Sequence, residues 1–141
     1  MASVHDVAAY ILARAGKMTA MKLEKLVYYC QAWSLVWDEK SLFRERIEAW
    51  ANGPVVPGLY FRHRGKFEVK DWDGDPSALS DKQRATIDGV VDFYEKLSSQ
   101  QLSDLTHRED PWRNARVGLA AGERGKVEIS RASMHEYYGS L

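Results

Sequence analysis

Apolar residues recur at the three-and-four spacing of a helix face in Val4, Val7, Ala8, Ile11, Leu12 and Ala15, between Ser3 with Asp6 and a closing Gly16. This predicts a short amphipathic helix that opens on a capping box. Leu23, Leu26, Val27, Cys30, Trp33 and Val36 keep the same rhythm for about four turns behind Thr19, a candidate N-cap, and predict a central core helix. Its lysines are expected to lie away from the apolar stripe, with Tyr28 and Tyr29 flanking it and their hydroxyls seeking partners. The rhythm breaks at residues 37–41. Ile47-Glu48-Ala49-Trp50 then alternates as a half-buried strand and runs into turn residues Asn52-Gly53-Pro54. Pro57 suits the first turn of a following helix, on which Leu59, Tyr60 and His63 share a face.

Lys66-Phe67-Glu68-Val69-Lys70 alternates strictly, which predicts a strand with Phe67 and Val69 on one face. Asp73-Gly74-Asp75-Pro76 is a turn; the calcium-loop reading fails because the twelfth position holds Arg84 instead of glutamate. Ser80 with Gln83 opens a helix carrying Ile87, Val90, Val91, Tyr94 and Leu97, with Asp81, Asp88, Asp92 and Glu95 on its solvated face. Ser99 is placed as the cap of a short helix with Leu102 and Leu105, and Asp110 as the cap of another with Pro111 at its first position. Residues 118–125 form a small-residue loop, residues 126–129 an extended piece, and Ser130 caps a last helix with Met134, Tyr137 and Tyr138. The sum is an α+β, mainly α-helical fold: a compact helical body spanning residues 1–141 as one domain, with a small β-sheet of two or three short strands.

Composition changes this picture little. At 141 residues with 45% hydrophobic and 28% charged positions the chain has enough apolar material for a core without staples. Cys30 is the single cysteine, so no intramolecular disulfide forms and a reducing cytoplasm is the expected compartment. No secretory signal and no membrane span are predicted. Charge is zero in total yet uneven: residues 1–70 hold 11 basic and 7 acidic side chains (+4), and residues 71–141 hold 9 and 13 (−4). A nucleic-acid binder usually carries a clear basic excess, so nucleic acid is not the expected partner.

The chemistry of the sequence is sparse. His5, His63, His107 and His135 never pair at ligand spacing, and no zinc, Walker, dinucleotide or nucleophile-elbow motif is present. The glycines of residues 118–125 lack the lysine and hydroxyl of a phosphate loop. No catalytic residue, cofactor or metal is therefore assigned, although a site assembled from His107, Asp110 and Cys30 stays open as a guess. Arg62-His63-Arg64-Gly65-Lys66, beside Tyr60 and Phe61, is the strongest nucleic-acid candidate, but cations favoured at a helix C-terminus by the dipole and the last carbonyls are the better explanation. His107 and Trp112 are explained by the capped turn around Pro111 or, alternatively, by a recognition surface.

Four stretches carry a resemblance. Glu48-Ala49-Trp50, Gly53-Pro54-Val55-Val56-Pro57 and Leu59-Tyr60 form the first, and the lysine-leucine repeat Lys22-Leu23-Glu24-Lys25-Leu26 before Tyr28-Tyr29 the second. Thr106-His107-Arg108-Glu109-Asp110-Pro111-Trp112 is the third, and an isoleucine ahead of paired aromatics at the carboxyl end the fourth. Together, from about Met18 through Tyr138, they resemble the Panacea domain, a SocA-like domain of bacterial and phage antitoxins. The resemblance implies a non-enzymatic toxin–antitoxin component, with phage defence as one setting, that neutralises a cognate toxin by direct binding. It implies, as an alternative, an adaptor that delivers the toxin to a ClpXP-type protease. From another class, a nucleic-acid-binding regulator is the competing reading. Trp50, Asn52, Tyr60, Arg62, Arg64, His107 and Trp112 are the candidate partner-binding residues.

Overall fold

The computed structural model describes residues 2–141. Its axis is α2 (Ala20–Trp37), in which 13 of 18 residues are buried. A helix buried on nearly every side must be surrounded, and α1 (Val4–Ala15), α4 (Asp81–Tyr94), α5 (Ser99–His107) and α7 (Arg131–Gly139) all pack against it. Leu23, Leu26, Val27, Tyr29 and Cys30 are inaccessible to solvent at the centre of this core. Capping follows the sequence closely. Ser3 with Asp6 and Ser80 with Gln83 form capping boxes, and the side chains of Thr19 and Ser130 accept from Lys22 N and Ser133 N.

Two antiparallel pairs of strands decorate the helices, where the sequence suggested one sheet. β1 (Met18–Thr19) pairs with β4 (Glu68–Val69), and β2 (Glu48–Trp50) pairs with β3 (Gly53–Val55) in the register Glu48↔Val55, Ala49↔Pro54, Trp50↔Gly53. Gly53 and Pro54 therefore belong to a returning strand, and the reversal itself occupies Ala51 and Asn52. Pro54 is tolerated because β3 is an edge: residues 127–129 bond to the other side of β2, through Ala49 N to Val127 O and Ile129 N to Ile47 O, both 2.8 Å. α3 (Pro57–His63) leaves β3 at once with Pro57 in its first turn. α6 (Asp110–Ala115) follows α5 after a sharp corner.

Several boundaries and faces differ from the pattern. The strand around Phe67 is only two residues long, so Phe67 lies ahead of it and is 79% exposed while Val69 is buried. α4 ends at Tyr94, leaving Leu97 in the connection. α5 is capped by Ser98, with Gln101 completing the box, while Ser99 uses its hydroxyl on Thr19 across the fold. Glu109, one residue before the expected cap, is the N-cap of α6; its side chain turns into the core instead of capping. Lys25, expected on the outer face of α2, is fully buried, because α2 has no outer face along that part of its length.

Candidate functional site

The β2–β3 hairpin, α3 and the α5–α6 corner converge on one ridge. Trp50 sits on the hairpin, and its ring meets Tyr60 of α3 edge-on at 4.8 Å between centroids. On its other side the Trp50 carbonyl accepts from Trp112 Nε1 at 2.9 Å. Trp112 stacks on His107 at 4.0 Å with 13° between the planes, and the Arg116 guanidinium lies 5.2 Å from the Trp112 ring. Asn52 is exposed at the hairpin tip, where Ser103 Oγ donates to its carbonyl at 2.8 Å. The ridge thus unites Trp50, Asn52, Tyr60, His107 and Trp112. The four aromatic rings are half-buried.

Arg62 and Arg64 diverge from it. Both are exposed at the C-terminal end of α3; Arg62 donates to the Asp73 carbonyl at 2.8 Å, and Arg64 lies 6.0 Å from the Phe61 ring. His63 between them is buried and faces inward, 2.7 Å from Glu24 Oε2. The basic run 62–66 is accordingly not a continuous cationic surface: its second residue, His63, is a core partner of α2.

Beneath the ridge lies a second layer that sequence patterning missed. Glu24 joins α2 to the hairpin and α3 together, accepting from Val56 N at 2.9 Å through Oε1 while Oε2 meets His63. Its neighbour Lys25 reaches the hairpin. An added Cβ at Gly53 would stand 2.5 Å from Lys25 Cε and 3.2 Å from its Nζ, and Gly53 has a φ of 124°, so only glycine fits there. Lys25 Nζ is buried with no hydrogen-bond partner among the described residues, and burial lowers its pKa to about 8. His107 Nε2 is likewise buried and unpartnered; burial, and then the Lys25 charge, hold the imidazole below its ordinary pKa. Arg116 Nη1 supports the hairpin from the far side by donating to the Ala49 carbonyl at 3.0 Å.

Farther along α2 the buried polar groups are paired. Glu109 Oε1 accepts from the Tyr29 and Tyr138 hydroxyls, each at 2.7 Å, and the Tyr28 and Tyr138 hydroxyls meet at 2.9 Å. Burial raises the Glu109 carboxyl, and it pushes the three phenols well above their usual range. A buried acid with two phenol donors is a structural knot.

Cys30 and Asp110 do not join His107. Cys30 is inaccessible in the core with its thiol pushed up by burial, and Asp110 is exposed beside Arg113. A low-dielectric thiol without a base within reach is poorly suited to nucleophilic work. Among the described residues no group of three or more His, Cys, Asp or Glu side chains is arranged to hold a metal ion, and no helix is long and apolar enough to cross a membrane.

The missed residues had faint signals. Glu24 and Lys25 are charged positions inside an all-round apolar helix, and Glu109 directly precedes the proline-capped turn. Arg116 had none.

No curated protein and no solved structure matches the chain significantly. Residues 23–113, which are 91 of the 141, match the family described as Antitoxin SocA-like, Panacea domain, a narrower span than Met18–Tyr138 that leaves the carboxyl-terminal aromatics outside. The matched span contains the hairpin, the aromatic ridge and the two buried charged residues of α2, Glu24 and Lys25, and the chain belongs to this SocA-like Panacea antitoxin family.

Proposed function

We propose that this chain acts in the cytoplasm as an antitoxin that neutralises a cognate toxin by direct protein binding, with the ridge Trp50–Tyr60–Trp112–His107 and the Asn52 tip as its docking surface. The family supplies the antitoxin role. The observation that carries the binding mode is the construction of the ridge. Trp112 is held by the Trp50 carbonyl and stacked on His107, and Trp50 packs edge-on against Tyr60, so docking on these half-buried rings costs little side-chain entropy. Binding of this kind requires no catalytic step.

The test is co-expression with the product of the adjacent reading frame. Growth rescue and co-purification of a stable complex are expected, and Trp112→Ala is expected to weaken both. Rescue that depends on a ClpXP-type protease would replace direct neutralisation by the adaptor mechanism. A neighbour that is harmless alone and never co-purifies would remove the antitoxin reading.

A further inference from the structure

Beside the ridge, the turn from α3 into β4 carries two phenylalanines that the fold does not use. Phe61 is 66% and Phe67 79% exposed. Single exposed apolar residues are ordinary; these two large aromatics, six positions apart, flank a cationic turn. Arg64 links them: its guanidinium lies 6.0 Å from the Phe61 ring, and with Lys66 and Phe67 it lines a groove of about 300 Å³ floored by Ala20 and Met21 at the start of α2. Residues 60–67, YFRHRGKF, contain Arg62, Arg64 and Lys66 and no carboxylate. Among the described residues none of these three cations takes part in an ion pair with a carboxylate. The nearby Glu68 is exposed on β4 and holds no ion pair with them.

We propose that this face docks an acidic segment of the partner protein, whose apolar side chains cover Phe61 and Phe67 while its carboxylates pair with Arg64 and Lys66. The proposal rests on the antitoxin reading above and specifies the chemistry of the toxin's contact surface. Protein is favoured over nucleic acid because the cations are few, His63 of the run is withdrawn into the core, and the uncovered aromatics suit an apolar counterpart. Unpaired cations at the rim would act mainly on encounter rate and salt sensitivity, and the aromatics on residence time.

The experiment measures affinity between the full-length chain and the purified product of the adjacent reading frame, by calorimetry at low and high salt. Variants are Arg64→Glu with Lys66→Glu, and Phe61→Ala with Phe67→Ala. All four positions are exposed, so both doubles are expected to fold as the parent does, which circular dichroism checks. The proposal expects each double to weaken binding at least tenfold, and the charge reversal to abolish most of the salt dependence. Wild-type binding retained within twofold in both doubles would overturn this surface and leave the antitoxin reading standing. Absence of any wild-type complex would overturn both. A single-stranded DNA oligonucleotide is the control probe: if the charge reversal abolishes its binding while toxin affinity is untouched, the face belongs to nucleic acid and the proposal fails.

Discussion

Two buried polar clusters sit along the same helix, and they are built to opposite standards. Around Tyr28 and Tyr29 every hydroxyl has a partner: one carboxylate oxygen of Glu109 takes two phenols, and the remaining phenol bonds to its neighbour. Around Lys25, about one turn earlier on α2, an ammonium and an imidazole nitrogen are withdrawn from water and left without partners. A satisfied network stabilises and specifies the core, whereas an unpaired buried cation costs folding free energy. The first cluster thus explains why the carboxyl-terminal helix docks on α2. The second lies directly beneath the hairpin that carries the aromatic ridge, which is where a protein retains a cost for the sake of its surface.

The contrast can be broken most forcefully at its hinge. Glu24→Ala would leave His63 buried without its partner and free Val56 N, and is expected to lower stability by about 3–5 kcal/mol in urea titration. If the loss is below 1 kcal/mol, the buried Glu24–His63 contact does not hold hairpin and helix together.

Next in size is Lys25→Met. Removing an unpaired buried cation is expected to stabilise by about 1–3 kcal/mol at neutral pH. The pH dependence carries the sign. Because the folded-state pKa of about 8 lies below the ordinary 10.5, the unfolded chain binds the extra proton between those values. The penalty is full below pH 8, so wild-type stability should climb relative to the variant from pH 8 toward 10. Parallel curves would show that Lys25 is not desolvated. A stabilised variant that loses toxin binding would show that the amine serves the ridge.

Gly53→Ala sharpens the same region. The new Cβ meets Lys25 Cε at 2.5 Å on a residue with positive φ, and a loss of about 1–3 kcal/mol is expected in thermal unfolding. In the satisfied cluster, Tyr138→Phe removes one donor to Glu109 and the partner of Tyr28, for an expected loss of about 1–2 kcal/mol with no pH signature at neutrality.

The smallest effect belongs to His107. Its pKa is held below 6.5, so the unfolded chain takes up a proton first as pH falls, and stability should decline below about pH 6.5 in wild type and less in His107→Gln. Proton NMR titration of the imidazole checks the direction independently.

Much of this architecture is written locally. Ser3, Thr19, Ser80 and Ser130 announce their helices because a short oxygen side chain at that position satisfies an orphan backbone N–H, whatever the rest of the chain does. The alternation at 47–50 and the proline at 57 likewise act within a few residues. The candidate aromatics were legible as types, and Trp50, Tyr60, His107 and Trp112 do meet in space. Their meeting was not legible. His107 and Trp112 are close in sequence, but the spacings that bring Trp50 to Tyr60 and to Trp112 carry no information on contact without the path of the chain.

The sequence by itself determined the helical class, most element starts, the family signatures and the absence of any recognisable catalytic or metal motif. Only the tertiary structure decided that His63 turns inward, that Phe67 faces solvent, that Lys25 lies beneath Gly53, and that Glu109 leaves its capping position for two tyrosines. The physical reason is the same in each case. Local propensity depends on a residue and its near neighbours, but burial and pairing depend on which surfaces arrive from elsewhere, and α2 is enclosed from so many directions that a one-stripe pattern understates what it buries.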